Sequence, residues 1–211
     1  MPRIFPPRPL SPEQRYALLK RGFDFSFSLL VVVLILSWLA PLLGLLLKLE
    51  SRGPVFFKQL RTGKHCQPFY CLKFRSMRLN SEADARQASR GDSRITRLGA
   101  FIRQTSLDEL PQFINVLRGD MSVVGPRPHM LLHTQDYAQR IAGFMERHAV
   151  TPGITGWAQV KGYHGETRKL QAMENRVQAD LWYIKRGSLA LDVRIVGLTV
   201  VQALRGHQNA C

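Results

Sequence analysis

The sequence predicts an α+β fold dominated by helices, with an N-terminal re-entrant membrane helix hairpin, a small antiparallel sheet and amphipathic helices at a membrane interface. Three observations lead there. First, Phe25 to Leu47 is a run of 23 residues without a charge, bounded by Asp24 and Lys48. As a helix it is about 34 Å long, enough for a hydrocarbon core of ~30 Å. Second, VFFKQL and PFYCLKFRSM are short segments rich in aromatic and apolar residues that flank the turn Thr62-Gly63-Lys64, the pattern of paired strands. Third, the remaining apolar residues recur mostly at helical spacing, as in Leu170, Met173, Val177, Leu181 and Ile184. No internal repeat and no sandwich-like series of strands competes with that reading.

Taken in order, residues 1–19 form a proline-rich and then basic segment, expected to be disordered before a short basic helix. Residues 20–52 hold the membrane helix. A cleaved signal peptide does not fit, because the run is too long and no A-x-A site follows. Lys20 and Arg21 precede the run, and Lys48, Arg52, Lys58 and Arg61 follow it, so the positive-inside bias gives no direction. Pro41 removes a helical donor two-thirds of the way along. A break there returns the chain to the side it entered from; the competing reading is a plain signal anchor with a tolerated proline. Residues 53–206 are expected to form the folded domain outside the membrane and 207–211 a tail. Within the domain, Tyr70, Leu72 and Phe74 share one strand face, while Lys73 and Arg75 project from the other. Residues 80–97 read as a polar loop or surface helix. Pro111 starts a short helix that Gly119 can end. The last apolar stretch, Ile195 to Leu204, is too short to span and reads as a core or interfacial helix.

Thirty Lys plus Arg against 15 Asp plus Glu give a formal charge of +15, which points to anionic partners. Three cysteines, Cys66, Cys71 and Cys211, form no CxxC pair and argue against a disulfide framework or a structural zinc site. Gly63-Lys64 does not open a Walker loop, since Lys58 and His65 stand where Gly and Ser or Thr are needed. His129 and His133 lie one helical turn apart but have no acidic third ligand near, and read as ordinary helix residues. Against this basic background Asp108 and Glu109 stand together in TSLDELPQF. Ser106 to Glu109 fits a capping box, and acids suit a helix start; the same pair also suits catalysis.

The motifs KRGFD, GPVFFKQLRTG, KFRSM, SLDELPQ, NVLRGDMSVVGPRP and PGITGWAQV, with the proline-interrupted apolar run, resemble the bacterial sugar transferase family in order and spacing. These are the monotopic phosphoglycosyl transferases that act on polyprenol phosphate at the cytoplasmic face of the bacterial inner membrane. GYHGETRKLQAMENRVQADLWYI looks like the subgroup using UDP-glucose or a related hexose, of which this chain would be either a natural minimal form or the catalytic part; Lys185-Arg186-Gly187-Ser188 departs from its usual Asn-Trp-Ser. The resemblance implies that Asp108 is the nucleophile and Glu109 a ligand of Mg²⁺. It implies that Lys73, Arg103 and Arg127 surround phosphate, with Arg75 and Arg118 as further candidates. It also implies transfer of a hexose-1-phosphate from a UDP-hexose to undecaprenyl phosphate in exopolysaccharide or other glycan assembly. Expected partners are those two substrates and the phospholipid bilayer, with no nucleic acid and with a homodimer open to the chain. Two other classes share the charge and the apolar run: a non-catalytic polybasic membrane adaptor, and a one-step lipid-phosphate transferase or hydrolase.

Overall fold

The structure, a computed structural model, describes residues 11–79, 92–163, 165 and 170–205. The disordered tail expected at the start, most of the expected polar loop at 80–97 and the C-terminal tail lie outside the described residues.

Ser11 opens the first helix with a full capping box: its hydroxyl accepts the Gln14 N–H, the Gln14 side chain returns to the Ser11 N–H, and Pro12 occupies the first turn. From there helix α1 (Pro12–Val31), a π turn (Val32–Leu36) and helix α2 (Ser37–Glu50) run on as one helical rod of 39 residues. It is long and apolar enough to cross a membrane by length and composition. Pro41 lies inside α2, so the proline does not end the helix. The irregularity falls one to two turns earlier, in the π segment, where the Ser37 hydroxyl and Trp38 indole also donate to the Val33 and Leu34 carbonyls. Local π adjustment and side-chain donors are how apolar helices accommodate a proline without unwinding.

The π turn has a second effect. The rod buries Asp24, Ser28 and Val31, then Leu36, Leu39, Leu43 and Leu47. Steps of three and four residues keep one face inward. The single five-residue step, Val31 to Leu36, coincides with the π turn, whose i→i+5 bonding adds one residue. Ile35, due inward in a regular α-helix, is exposed instead. The opposite face exposes Leu30, Val33, Leu34, Trp38, Leu42 and Leu45.

Charged residues fasten this rod to the rest of the chain at both ends. Lys20 pairs with Asp192 at 2.9 Å, Arg21 donates to the Val116 and Leu117 carbonyls, and Asp24 accepts the Val123 N–H at 3.0 Å. At the other end Arg75, only 4% exposed, donates to the carbonyls of Leu47, Ser51 and Arg52 at 2.7–2.9 Å. These carbonyls belong to the helix terminus and the chain leaving it; that of Leu47 also accepts the Ser51 N–H, and those beyond it lie past the last helical turn. Arg75 is therefore a cap and not a phosphate ligand, which corrects the sequence expectation. A residue following a strand was read by strand alternation, whereas the chain has already left the ladder at Phe74.

The expected antiparallel pair is present: strands β1 (Phe56–Thr62) and β2 (Pro68–Phe74) align Phe56 with Phe74 and Thr62 with Pro68. Helices α3 (Arg97–Gln104) and α4 (Gln112–Arg118) follow. Pro111 precedes α4, and Gly119, at φ 93°, ends it as the sequence suggested. Asn115, fully buried on α4, accepts the Leu72 N–H and donates to the Tyr70 carbonyl, so it completes the open edge of β2 as a third strand would. Strands β3 (Ser122–Val124) and β4 (Gly153–Thr155) form an unforeseen parallel pair. Between them lies helix α5 (Leu131–Arg140); after them come α6 (Trp157–Val160), α7 (Leu170–Arg186) and α8 (Leu189–Leu204). One apolar cluster joins Val31 to Cys71, Val116, Val124, Tyr183 and Ile195; a second joins Leu36, Leu39, Leu43 and Leu47 to Phe74 and Ile102. Helix α7 turns its apolar stripe into the core, while α8 leaves Val193, Leu198, Val200 and Val201 exposed.

Arg75→Ala should lower the unfolding free energy by about 3 kcal/mol, since charge-assisted bonds to several buried carbonyls are lost together. Thermal melting in detergent measures it; an unchanged melting point would show that these bonds add nothing to stability.

Candidate active site

The two adjacent carboxylates sit in a tight connection between α3 and α4. Ser106 takes a left-handed conformation at φ 57°, and Leu107–Glu109 make one 3₁₀ turn before Pro111. The capping box does not form, because Ser106 makes no side-chain cap in this conformation. Glu109 turns elsewhere. Its Oε1 accepts Lys73 Nζ at 2.7 Å and Arg127 Nη2 at 2.5 Å, and its Oε2 accepts Arg127 Nη1 at 3.1 Å. In a 3₁₀ turn successive side chains diverge by about 120°, so Asp108 faces a different direction.

Asp108 is 6% exposed, and among the described residues its carboxylate accepts no hydrogen bond and joins no ion pair. Burial pushes its pKa up; the Lys73 charge opposes that and the Glu109 charge adds to it. Burial works the same way on Glu109, but Arg127 and Lys73 overcome it and hold that carboxyl well below the usual range. Glu109 in turn keeps Arg127 more firmly protonated. Two neighbouring acids thus have opposite electrostatic settings, the pattern that separates chemical roles in paired carboxylates.

Each element that delivers these groups is fixed for a reason already visible. Strand β2 carries Lys73, and Asn115 locks its open edge to α4. Leu107 and Leu110, on either side of the acids, pack on the Leu36–Leu43 face of the apolar rod. Arg103 ends α3, donates to Ser76 Oγ at 3.4 Å and lowers the Asp108 pKa by its charge. Lys73, Arg103, Arg127, Asp108 and Glu109 therefore come together as the sequence suggested. Arg118 does not join them: it is exposed at the far end of α4.

His129 precedes α5 and lies buried against Phe144, while His133 is on the helix. Burial and the neighbouring Arg147 and Arg176 hold the His129 pKa well below its ordinary value, so it is neutral. No group of three His, Cys, Asp or Glu side chains suited to a metal occurs among the described residues. Sequence reasoning missed the buried Arg147, Arg176 and Asp180 that lie behind Arg127. Asp180 had a signal, being an acid on the apolar stripe of α7. Arg147 had none, as one more arginine in a basic chain.

This arrangement, two differentiated carboxylates ringed by cations and seated on an apolar helix, belongs to a known class: residues 15–206 match the bacterial sugar transferase family, and the chain is a member of it. Among its relatives, the UDP-glucose:undecaprenyl-phosphate glucose-1-phosphate transferase of Escherichia coli (strain K12) is 50% identical over 91% of this chain and 41% of its own length. The protein of the same name from Caulobacter vibrioides is 45% identical over 96% of this chain and 76% of its own. The UDP-N-acetylgalactosamine-undecaprenyl-phosphate N-acetylgalactosaminephosphotransferase of Aeromonas hydrophila is also 45% identical, over 93% of this chain and 46% of its own length. The chain thus spans less than half of the first and third of these relatives.

Asp108→Asn should raise the melting temperature. A carboxyl whose folded pKa lies above its unfolded value contributes stability only at low pH, and that contribution is lost as pH rises through the folded pKa. At neutral pH the buried charge costs stability, and the amide removes the cost. The expected rise is a few degrees, at about 2–4 °C per kcal/mol for a domain of this size. A lower melting point at pH 7 would show Asp108 to be a structural ion-pair partner.

Proposed function

We propose that this chain transfers a hexose-1-phosphate from a UDP-hexose to undecaprenyl phosphate in two steps, at the cytoplasmic face of a bacterial inner membrane. The observation that carries this is the division between the two acids: among the described residues Asp108 is buried with no hydrogen-bond or ion-pair partner, while Glu109 gathers the cations. In the first step an Asp108 carboxylate oxygen attacks the phosphorus bearing the sugar. The bond from that phosphorus to the bridging oxygen breaks, and UMP leaves with the electron pair. In the second, an oxygen of the lipid phosphate attacks the same phosphorus and the Asp108 carboxylate departs. A carboxylate whose pKa is raised by burial is the stronger nucleophile, and its acyl phosphate is reactive enough to pass the group on. Lys73, Arg103 and Arg127 would hold the charge of the diphosphate, Arg127 with a planar fork. The names of the relatives favour glucose as the sugar, with the Aeromonas protein showing that similarity at this level accommodates another.

Mg²⁺ fits this site in one way. Glu109 is the candidate protein ligand, and with no cluster of three donors among the described residues the other ligands would be donor phosphates and water, the usual arrangement for this ion. Bound there it would neutralise diphosphate charge. The cations now on Glu109 would then turn to phosphate oxygens.

The rod supports a placement with both ends on one face of the bilayer. Its buried stripe runs from Asp24 to Leu47, about 34 Å, and both ends are fastened to the same catalytic domain. A crossing helix would draw that polar domain through the hydrocarbon. The exposed apolar face of the rod would instead lie in one leaflet, with α8 presenting Val193, Val200 and Val201 as a further apolar surface. Such a rod is re-entrant in topology without a sharp turn at Pro41.

Two measurements test this reading. With Mg²⁺ and the UDP-sugar but no lipid, the enzyme should release about one equivalent of UMP in a burst and gain a hexose phosphate, mapped to Asp108 by mass analysis. An adduct persisting in Asp108→Asn, or UMP release strictly dependent on lipid, would overturn the two-step order. For topology, single cysteines placed at Ser11 and Arg52 in a Cys66→Ser, Cys211→Ser background should react with an impermeant thiol reagent from the same side of the membrane. Labelling from opposite sides would restore a spanning anchor.

A further inference from the structure

Arg127 stands between Pro126 and Pro128, neither of which has an N–H to offer. This segment cannot join a ladder, yet its buried carbonyls need partners. All four from Pro126 to His129 have one. Pro126 O accepts the Gly153 N–H at 2.9 Å, and His129 O accepts the Thr62 N–H at 2.9 Å. The two in the middle are met by guanidinium groups: Arg127 O by Arg147 Nη2 at 3.0 Å, and Pro128 O by Arg61 Nη1 at 2.9 Å.

Both arginines are themselves held. Asp180 on α7 accepts Nη2 and Nε of Arg147 at 2.5 and 3.1 Å, and the neutral His129 ring meets its Nη1. Arg147 is 2% exposed, and its guanidinium is committed to Asp180, His129 and the Arg127 carbonyl. Gln59 accepts Nη2 and Nε of Arg61 at 2.5 and 3.1 Å. Neither arginine bonds to Asp108 or Glu109. A buried charge with one carboxylate partner is an expensive way to fill space, since an apolar group of similar volume is often as stabilising. What an apolar group cannot do is donate a hydrogen bond to a carbonyl that has no main-chain partner.

We propose that Arg147, oriented by Asp180, and Arg61, oriented by Gln59, are positioning residues for Arg127. They fix the main chain on either side of the Arg127–Pro128 peptide, so that the fork of Arg127 leaves it in one direction. The loop then needs no reordering when the anion arrives, and binding energy is not lost to it. This inference rests on Arg127 acting on the donor phosphates.

A double-mutant cycle tests it in the full chain in detergent, reading kcat/KM for the UDP-sugar alongside melting temperature. Arg147→Lys and Arg61→Met are the two variants, each made with Arg127 intact and with Arg127→Ala. With Arg127 present, each should lower kcat/KM by roughly 10- to 100-fold, as expected when a binding group is displaced by a fraction of its length. In the Arg127→Ala background the same substitution should cost less than about twofold, because there is no fork left to misplace. Equal losses in both backgrounds would overturn the inference and make the two arginines merely structural. Arg61 sits at the rim of the loop, so its cycle decides the matter even where Arg147→Lys melts early. If Arg127→Ala alone leaves donor use intact, the reading of the donor site fails and this inference with it; a crippled Arg127→Ala with additive partners removes only this inference.

Discussion

Everything else in this molecule depends on how an apolar rod of 39 residues is bound along its side, and not only at its end. The KRGFD segment supplies three charged groups, and each makes a different bond to the folded domain: Lys20 to Asp192, Arg21 to the end of α4, Asp24 to the β3 main chain. Arg75 repeats this at the opposite terminus. Between these ends the buried stripe is re-phased by the π turn, so that Leu36 to Leu47 continue the face begun by Asp24 and Ser28. One face of the rod is a core element of a water-soluble fold. The other is a surface that water solvates poorly, and the sequence alternates the two in register.

Seating the catalytic turn on that rod ties chemistry to depth. Leu107 and Leu110, on either side of the acids, pack against the apolar cluster that holds Leu36, Leu39, Leu43 and Leu47 of the rod with Phe74 and Ile102. Burial raises the pKa of Asp108, while Glu109, one residue on, is held low by Arg127 and Lys73. The membrane helix is thus a wall of the site as well as an anchor.

Much of this was legible in the sequence, and the failures have physical causes. The apolar run, the β1–β2 pair and the Pro111–Gly119 helix depend on local periodicity and backbone preferences, which a single sequence displays. The three-residue strands β3 and β4 are too short to show a period and exist because Gly125, Gly153 and Gly156 let two backbones approach within the space of a Cβ. Pro41 was read as a break because a proline removes a donor; the helix absorbed the loss by a π turn that no composition announces. The capping box at Ser106 was sound as local chemistry and lost to tertiary charge, since Glu109 gains more from two cations than from one N–H. Among the basic residues, type alone could not separate a helix cap at Arg75 from a candidate ligand at Lys73, two positions apart.

The acids that matter least to the charge count proved the better guides. In a chain with twice as many basic as acidic groups, an Asp on an apolar face has to answer for its burial. Asp24, Asp180 and Asp192 each do so by fixing something other than substrate: the rod to β3, Arg147 beneath the Arg127 loop, and Lys20 with Tyr16 and Tyr183 to α8. Among the described residues, Asp108 is the buried Asp without such a partner. A buried charge that stabilises nothing around it is costly to keep, which sets Asp108 apart from the three acids whose burial fixes a neighbouring element. The cations that would have relieved it are turned aside by Glu109, one residue away, and this makes the pair more than the sum of two acids.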